Sequence, residues 1–141
     1  MTAKTHCRGL FAGALLALVA GCGMSSAKPK ADIAVTAFHK QLDAADYAGI
    51  WNAADDAYRE ATSHDKSDKL MEAVHRKLGR VVKSSTVNWS VRNFNLKTSV
   101  MLAQNTQFER GSATETFVYV VSGNDVKLAG YNIQSMDLIT L

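Results

Sequence analysis

Cysteine is almost missing from this chain: there are two in 141 residues, Cys7 and Cys22. From Gly23 onward there is none, so that part can form no internal disulfide and cannot build a cysteine-rich zinc site. A fold there must be held by its core alone. Proline occurs once, in the small and polar stretch GMSSAKPK from Gly23 to Lys30, which has the composition of a flexible tether. The uncharged apolar stretch from Leu10 to Ala20 is shorter than the roughly 20 residues a membrane span needs. G-x-S-x-G, P-loop, H-E-x-x-H and dinucleotide glycine patterns are all absent, which withdraws the commonest hydrolase, nucleotide and metalloprotease readings.

What is present begins at the N-terminus. Lys4 and Arg8 followed by the apolar stretch have the order of a secretory signal. The stretch ends in LVAGC, Leu18 to Cys22, small residues leading straight into a cysteine, which resembles the lipobox of bacterial lipoproteins. The resemblance implies cleavage before Cys22, a diacylglycerol on its sulfur and an acyl chain on its amino group. One myristoyl-sized chain binds membranes only marginally, whereas two or three anchor for good. The residue after the cysteine is Gly23 rather than the Asp that marks inner-membrane retention in enteric lipoproteins, so the expected place is the outer membrane, on the periplasmic side. The expected organisation is a signal peptide over 1–21, a lipid-anchored linker over 22–31 and one domain over 32–141.

Charge limits the partners. The whole chain carries +3, but of its 16 basic residues Lys4 and Arg8 precede Cys22, so 14 remain against 13 acidic ones. Near-neutrality argues against nucleic acid. The expected partners are the membrane, through the anchor, and an envelope protein or small ligand, with the domain itself a monomer. Arg76, Lys77, Arg80 and Lys83 cluster at the end of a helical pattern, where the macrodipole favours cations.

The domain divides by period. Ile33, Ala34, Ala37, Phe38, Gln41, Leu42 and Ala45 have helical spacing with Asp32 placed to cap. Asp46 caps a second pattern through Tyr47, Ile50, Trp51 and Ala54, and a short turn follows at Ala57–Ala61. A third long helix carries Leu70, Met71, Val74 and Leu78, ended by Gly79. Beyond Ser84 the alternation is two-residue: Val87 to Val91, Val100 to Phe108, Ala113 to Val121, and Val126 towards Ile139. Asn93–Ser99, Arg110–Gly111 and Gly123–Asp125 carry turn chemistry, and strands joined so tightly are antiparallel. Gly130 marks an expected bulge. The expected fold class is α+β, with N-terminal helices on a curved four-stranded antiparallel sheet.

FHKQLDAADYAGIWNAAD, AVHRKLGRV, TQFERGSATETFVYVVSG and LAGYNIQSMDLI resemble a group of small bacterial lipoproteins with a domain of unknown function. The resemblance implies a cystatin-like or NTF2-like layout and brings no activity or cofactor with it.

Little catalytic chemistry is legible. Glu72 and His75 are spaced like part of a carboxylate-bridged metal site but lack the second motif such a site requires, so no metal is expected. Glu115 alternates in register with Ala113, Phe117, Tyr119 and Val121, the face expected to meet the helices. It is either a rim residue paired to Arg110 or Lys127, or part of a ligand site with Tyr131, Asn132 and Gln104. Trp51, Tyr58 and Trp89 are expected in the core. A non-catalytic binding module is the leading expectation. An inhibitor of a cell-wall hydrolase, using Asn93–Ser99, and an isomerase-like domain using Glu115 are the alternatives.

Overall fold

A computed structural model describes residues 22–140, with side chains from Ser26 on; the expected signal peptide lies outside the described residues. Five helices, α1 (Cys22–Asp43), α2 (Tyr47–Ala53), α3 (Asp56–Ala61), α4 (His64–Leu78) and the short C-terminal α5 (Asp137–Thr140), surround four strands. These are β1 (Val81–Phe94), β2 (Lys97–Phe108), β3 (Gly111–Ser122) and β4 (Asp125–Gln134), forming one antiparallel sheet in the order β1-β2-β3-β4. The class is α+β, with helices first and an open four-stranded meander after them.

Local signals set most boundaries. The Asp46 carboxylate accepts from Gly49 N at 3.0 Å to cap α2, and Asp55 accepts from Ala57 N at 3.0 Å to cap α3. Ser63 caps α4, which ends at Gly79 with φ +81°. That conformation suits glycine because it has no Cβ to clash.

The helical layer buries Val35, Phe38, Leu42, Ile50, Tyr58, Met71, Val74 and Leu78. They pack on the β2–β3 face formed by Val100, Leu102, Phe108, Phe117, Tyr119 and Val121. The alternation in β3 puts Ala113, Glu115, Phe117, Tyr119 and Val121 on the buried face, as the sequence indicated.

Several expectations need correction. The GMSSAKPK segment is not a tether: α1 starts at Cys22 instead of Asp32, and Ala27 and Ala31 are in the core. Their short side chains supply the first turns of the buried stripe Ala27–Ala31–Val35–Phe38–Leu42. Ile33 is 70% exposed, because that stripe is rotated from the one centred on Ile33. Asp32 lies inside the helix and pairs with Lys28 at 2.7 Å. Pro29 lies within α1 at an exposed position. β1 starts at Val81 and carries irregularities at Val82 and Val87; Trp89, opposite Leu102, lies on the helix side but on an edge strand, and is half exposed beneath Lys28. Leu70 is likewise exposed. Asn93–Ser99 is strand except for a two-residue turn at Asn95–Leu96. β4 stops at Gln134, where the Ser135 hydroxyl bonds Ser112 O at 2.6 Å and accepts from Asp137 N, starting α5. Near Gly130 the register does shift: Val118 faces Gly130 and Tyr119 faces Leu128, leaving Ala129 as the extra residue.

Candidate functional site

The most concentrated polar chemistry lies between α1 and the sheet. Glu115, on the inner face of β3, has no solvent exposure. The Tyr131 hydroxyl, from β4, donates to its Oε1 at 2.7 Å, and Thr106 Oγ1, from β2, donates to Oε2 at 2.5 Å. His39 Nε2, from α1, lies 2.8 Å from the same Oε2. Phe38, Phe117 and Tyr131 close around them, with centroids 4.8 to 5.1 Å apart. Burial first, and then the neighbouring Glu115 carboxylate, hold the Tyr131 phenol well above its usual range. Both oxygens of Glu115 are occupied by protein, and no side leads to water. A general base must come within hydrogen-bond reach of a substrate proton, and Glu115 offers no such approach.

The network continues outward. Ser84 Oγ is 3.0 Å from Thr106 Oγ1 and 3.1 Å from Gln104 Oε1. Thr106 spends its one proton on Glu115, so Ser84 donates to one of these two at a time. Gln104 Nε2 donates to Thr86 Oγ1 at 2.8 Å, and Thr86 reaches Asp32 at 3.4 Å. A polar recess of about 210 Å³ opens over Asp32, Thr36, His39, Ser84 and Gln104.

Of the residues singled out from the sequence, Glu115 and Tyr131 are joined directly and Gln104 through Ser84 and Thr106. Asn132 is exposed and separate from the network. Cys22 begins α1, at the edge of the described residues. Glu115 is not a rim residue. Arg110 instead donates to the carbonyls of Lys77 and Arg76 at the end of α4, and Lys127 pairs with Asp125 at 3.5 Å. His39 and Thr106, which both meet Glu115 directly, are the members that sequence reasoning missed. The available signals were the place of His39 one residue after Phe38 on a helix otherwise buried on that side, and that of Thr106 on the alternating face between Gln104 and Phe108. The other histidines among the described residues are engaged elsewhere: His75 Nδ1 is 3.1 Å from the Tyr47 hydroxyl, and His64 stacks on Trp51 at 5.0 Å. Among the described residues no group of three or more His, Cys, Asp or Glu is placed to hold a metal, and no helix is long and apolar enough to cross a membrane.

A second feature is open and apolar. A cleft of about 380 Å³ runs between α1, α2 and the β3–β4 hairpin, lined by Ala34, Ala37, Phe38, Ile50, Tyr119 and Leu128. Lys30 stands at its rim, bonded to Gly123 O and, at 3.2 Å, to Asn124 Oδ1. Tyr119 is 3% exposed, and its buried hydroxyl has no hydrogen-bond partner. Burial, then the nearby Glu115, raises its pKa far above the usual phenol value, so the group is a neutral donor. Leaving such a donor unmade costs about 1–3 kcal/mol. A larger hollow of about 860 Å³ lies beside Ser85, Asn105, Gln107, Ser112 and Gln134. Its polar groups partly satisfy one another, as where Thr114 Oγ1 meets Asn105 Oδ1 at 3.4 Å.

No protein-family model, curated protein or solved structure matches the chain.

Proposed function

We propose that this chain is a lipid-anchored, non-catalytic binding module of the bacterial envelope, cleaved before Cys22 and held on the periplasmic side of the outer membrane. The cystatin-like or NTF2-like layout implied by its resemblance to small lipoproteins belongs to the same reading. The bound species is a small molecule with an apolar body, seated in the cleft between α1 and the β3–β4 hairpin.

The observation that carries this is the open cleft itself, about 380 Å³ and walled by Ala34, Ala37, Phe38, Ile50, Tyr119 and Leu128. Walls of this kind take up the apolar body of a ligand. The sealing of Glu115 supports binding over catalysis, because the one buried carboxylate among the candidates is spent on His39, Thr106 and Tyr131.

Organic extracts of the full chain purified from envelopes test the proposal. A small apolar molecule should co-purify with the unaltered protein, and Ala34→Trp and Ala37→Trp, which fill the cleft, should each reduce its yield severalfold while the protein still folds. Extracts free of any such molecule, or equal yields from all three proteins, would refute it.

A further inference from the structure

The end of the molecule that carries Cys22 also carries two strongly exposed apolar residues, Phe94 and Leu96. α1 runs antiparallel to β1, as three contacts along its length show. Asp43 Oδ1 accepts from Val81 N at 3.0 Å, Asp32 meets Thr86 at 3.4 Å, and Lys28 Nζ sits 5.9 Å from the Trp89 ring centroid. Moving back along α1 therefore moves forward along β1. From Lys28 to Cys22 the helix rises about 9 Å, and from Trp89 to Phe94 the strand advances about 17 Å. The β1–β2 turn thus reaches as far as the start of α1, or beyond it, on the same side of the domain. The contact of Lys30 with the β3–β4 turn places that hairpin at the same end.

The turn itself has an unusual sequence. A two-residue hairpin turn with both central residues at positive φ favours Asn-Gly. Here Asn95 has φ 48° and Leu96 φ 63°, so a leucine occupies the glycine position. It is also fully exposed, and Phe94 beside it is 76% exposed. Arg92 and Lys97 flank the pair, both exposed, and there is no acidic residue from Val91 to Thr98. Folding alone accounts for neither the strained backbone nor the two bare apolar side chains. Backbone outliers of this kind tend to mark functional positions.

We infer that the β1–β2 turn is a membrane-contact finger: Phe94 and Leu96 enter the headgroup–acyl boundary of a phospholipid bilayer, and Arg92 and Lys97 meet its anionic headgroups. The inference rests on the proposed anchor at Cys22, which would hold this end against the bilayer. A lipid attached to the first residue of α1 and a second contact at the hairpin tip together fix the domain's orientation. The α1–hairpin cleft then opens near the membrane surface, where apolar ligands concentrate.

The test uses the full chain carrying Leu96→Cys, purified from envelopes and treated with an environment-sensitive thiol dye. Incorporation of one dye per chain means that Cys22 is acylated and Cys7 removed; more than one means that the anchor reading fails, and this inference with it. The labelled protein is placed in vesicles of phosphatidylethanolamine and phosphatidylglycerol, beside a Gln107→Cys control labelled at the opposite end of β2. Dye at position 96 should shift to the blue, be quenched severalfold by nitroxide-bearing lipid and resist aqueous iodide, with the reverse at position 107. Iodide quenching of equal strength at both positions would overturn the inference. So would dye that is accessible on lipid vesicles but shielded in native envelopes, which would assign the turn to a protein partner.

Discussion

Three tyrosine hydroxyls of this protein sit in environments far from water. Tyr131 is held by Glu115, Tyr58 lies 2.9 Å from Ser67 Oγ, and Tyr119 has no partner; burial raises the pKa of all three. In the unfolded chain they ionise near the ordinary value of about 10. Above that pH the unfolded state releases protons that the folded state retains, so stability is intact below pH 10 and falls as pH rises past it. The thermal midpoint should therefore drop steeply above pH 10, and Tyr119→Phe, which breaks no hydrogen bond, should make the drop shallower. An unchanged slope for that variant would show that Tyr119 titrates freely in the folded protein. The Glu115 face was readable from alternation alone, because a strand buried on one face repeats every two residues. Its true partner was not, since His39 is distant in sequence and comes to β3 only when α1 docks.

Docking of α1 on the sheet depends on that partnership. His39 is the polar residue in a stripe of Ala27, Ala31, Val35, Phe38 and Leu42, and it meets Glu115 from across the helix–sheet boundary. Glu115→Leu alone leaves His39, Thr106 and Tyr131 without their shared acceptor, and a buried polar group left unsatisfied costs about 1–3 kcal/mol. Glu115→Leu combined with His39→Leu should lose less than the sum of the single losses, by about 0.5–3 kcal/mol, the range for coupled neighbours. Denaturant unfolding of the three variants measures this, and strict additivity would mean that the pair does not couple the helix to the sheet. The sequence made the short elements plain, because Asp46 and Gly79 are local punctuation and the strands alternate. It hid the start of α1. GMSSAKPK looks like a tether by composition, but Ala27 and Ala31 fall on the core stripe, and packing there outweighs the low helix preference of Gly23 and Pro29. The bulged edge strand β1 was also hidden, since irregularities at Val82 and Val87 shift which side chains face out.

At the scale of the whole molecule, a disulfide-free domain presents its first helix, an apolar cleft and an apolar hairpin tip toward one end. The cysteine proposed for lipidation stands at the head of that helix, and the fold gives the position a physical consequence. Because α1 runs from Cys22 into the core without a flexible break, an anchor there would constrain the domain's attitude as well as its location. The apolar cleft was not legible in the sequence, because its walls come from α1, α2 and the β3–β4 hairpin and only tertiary packing assembles them. The central claim is tested most directly by the intact mass of the full-length gene product isolated from cell envelopes. The expected mass is that of a chain beginning at Cys22 and increased by a diacylglycerol and a further acyl group, lost when Cys22→Ser is introduced. A chain cut elsewhere, or one beginning at Cys22 without lipid, would contradict it.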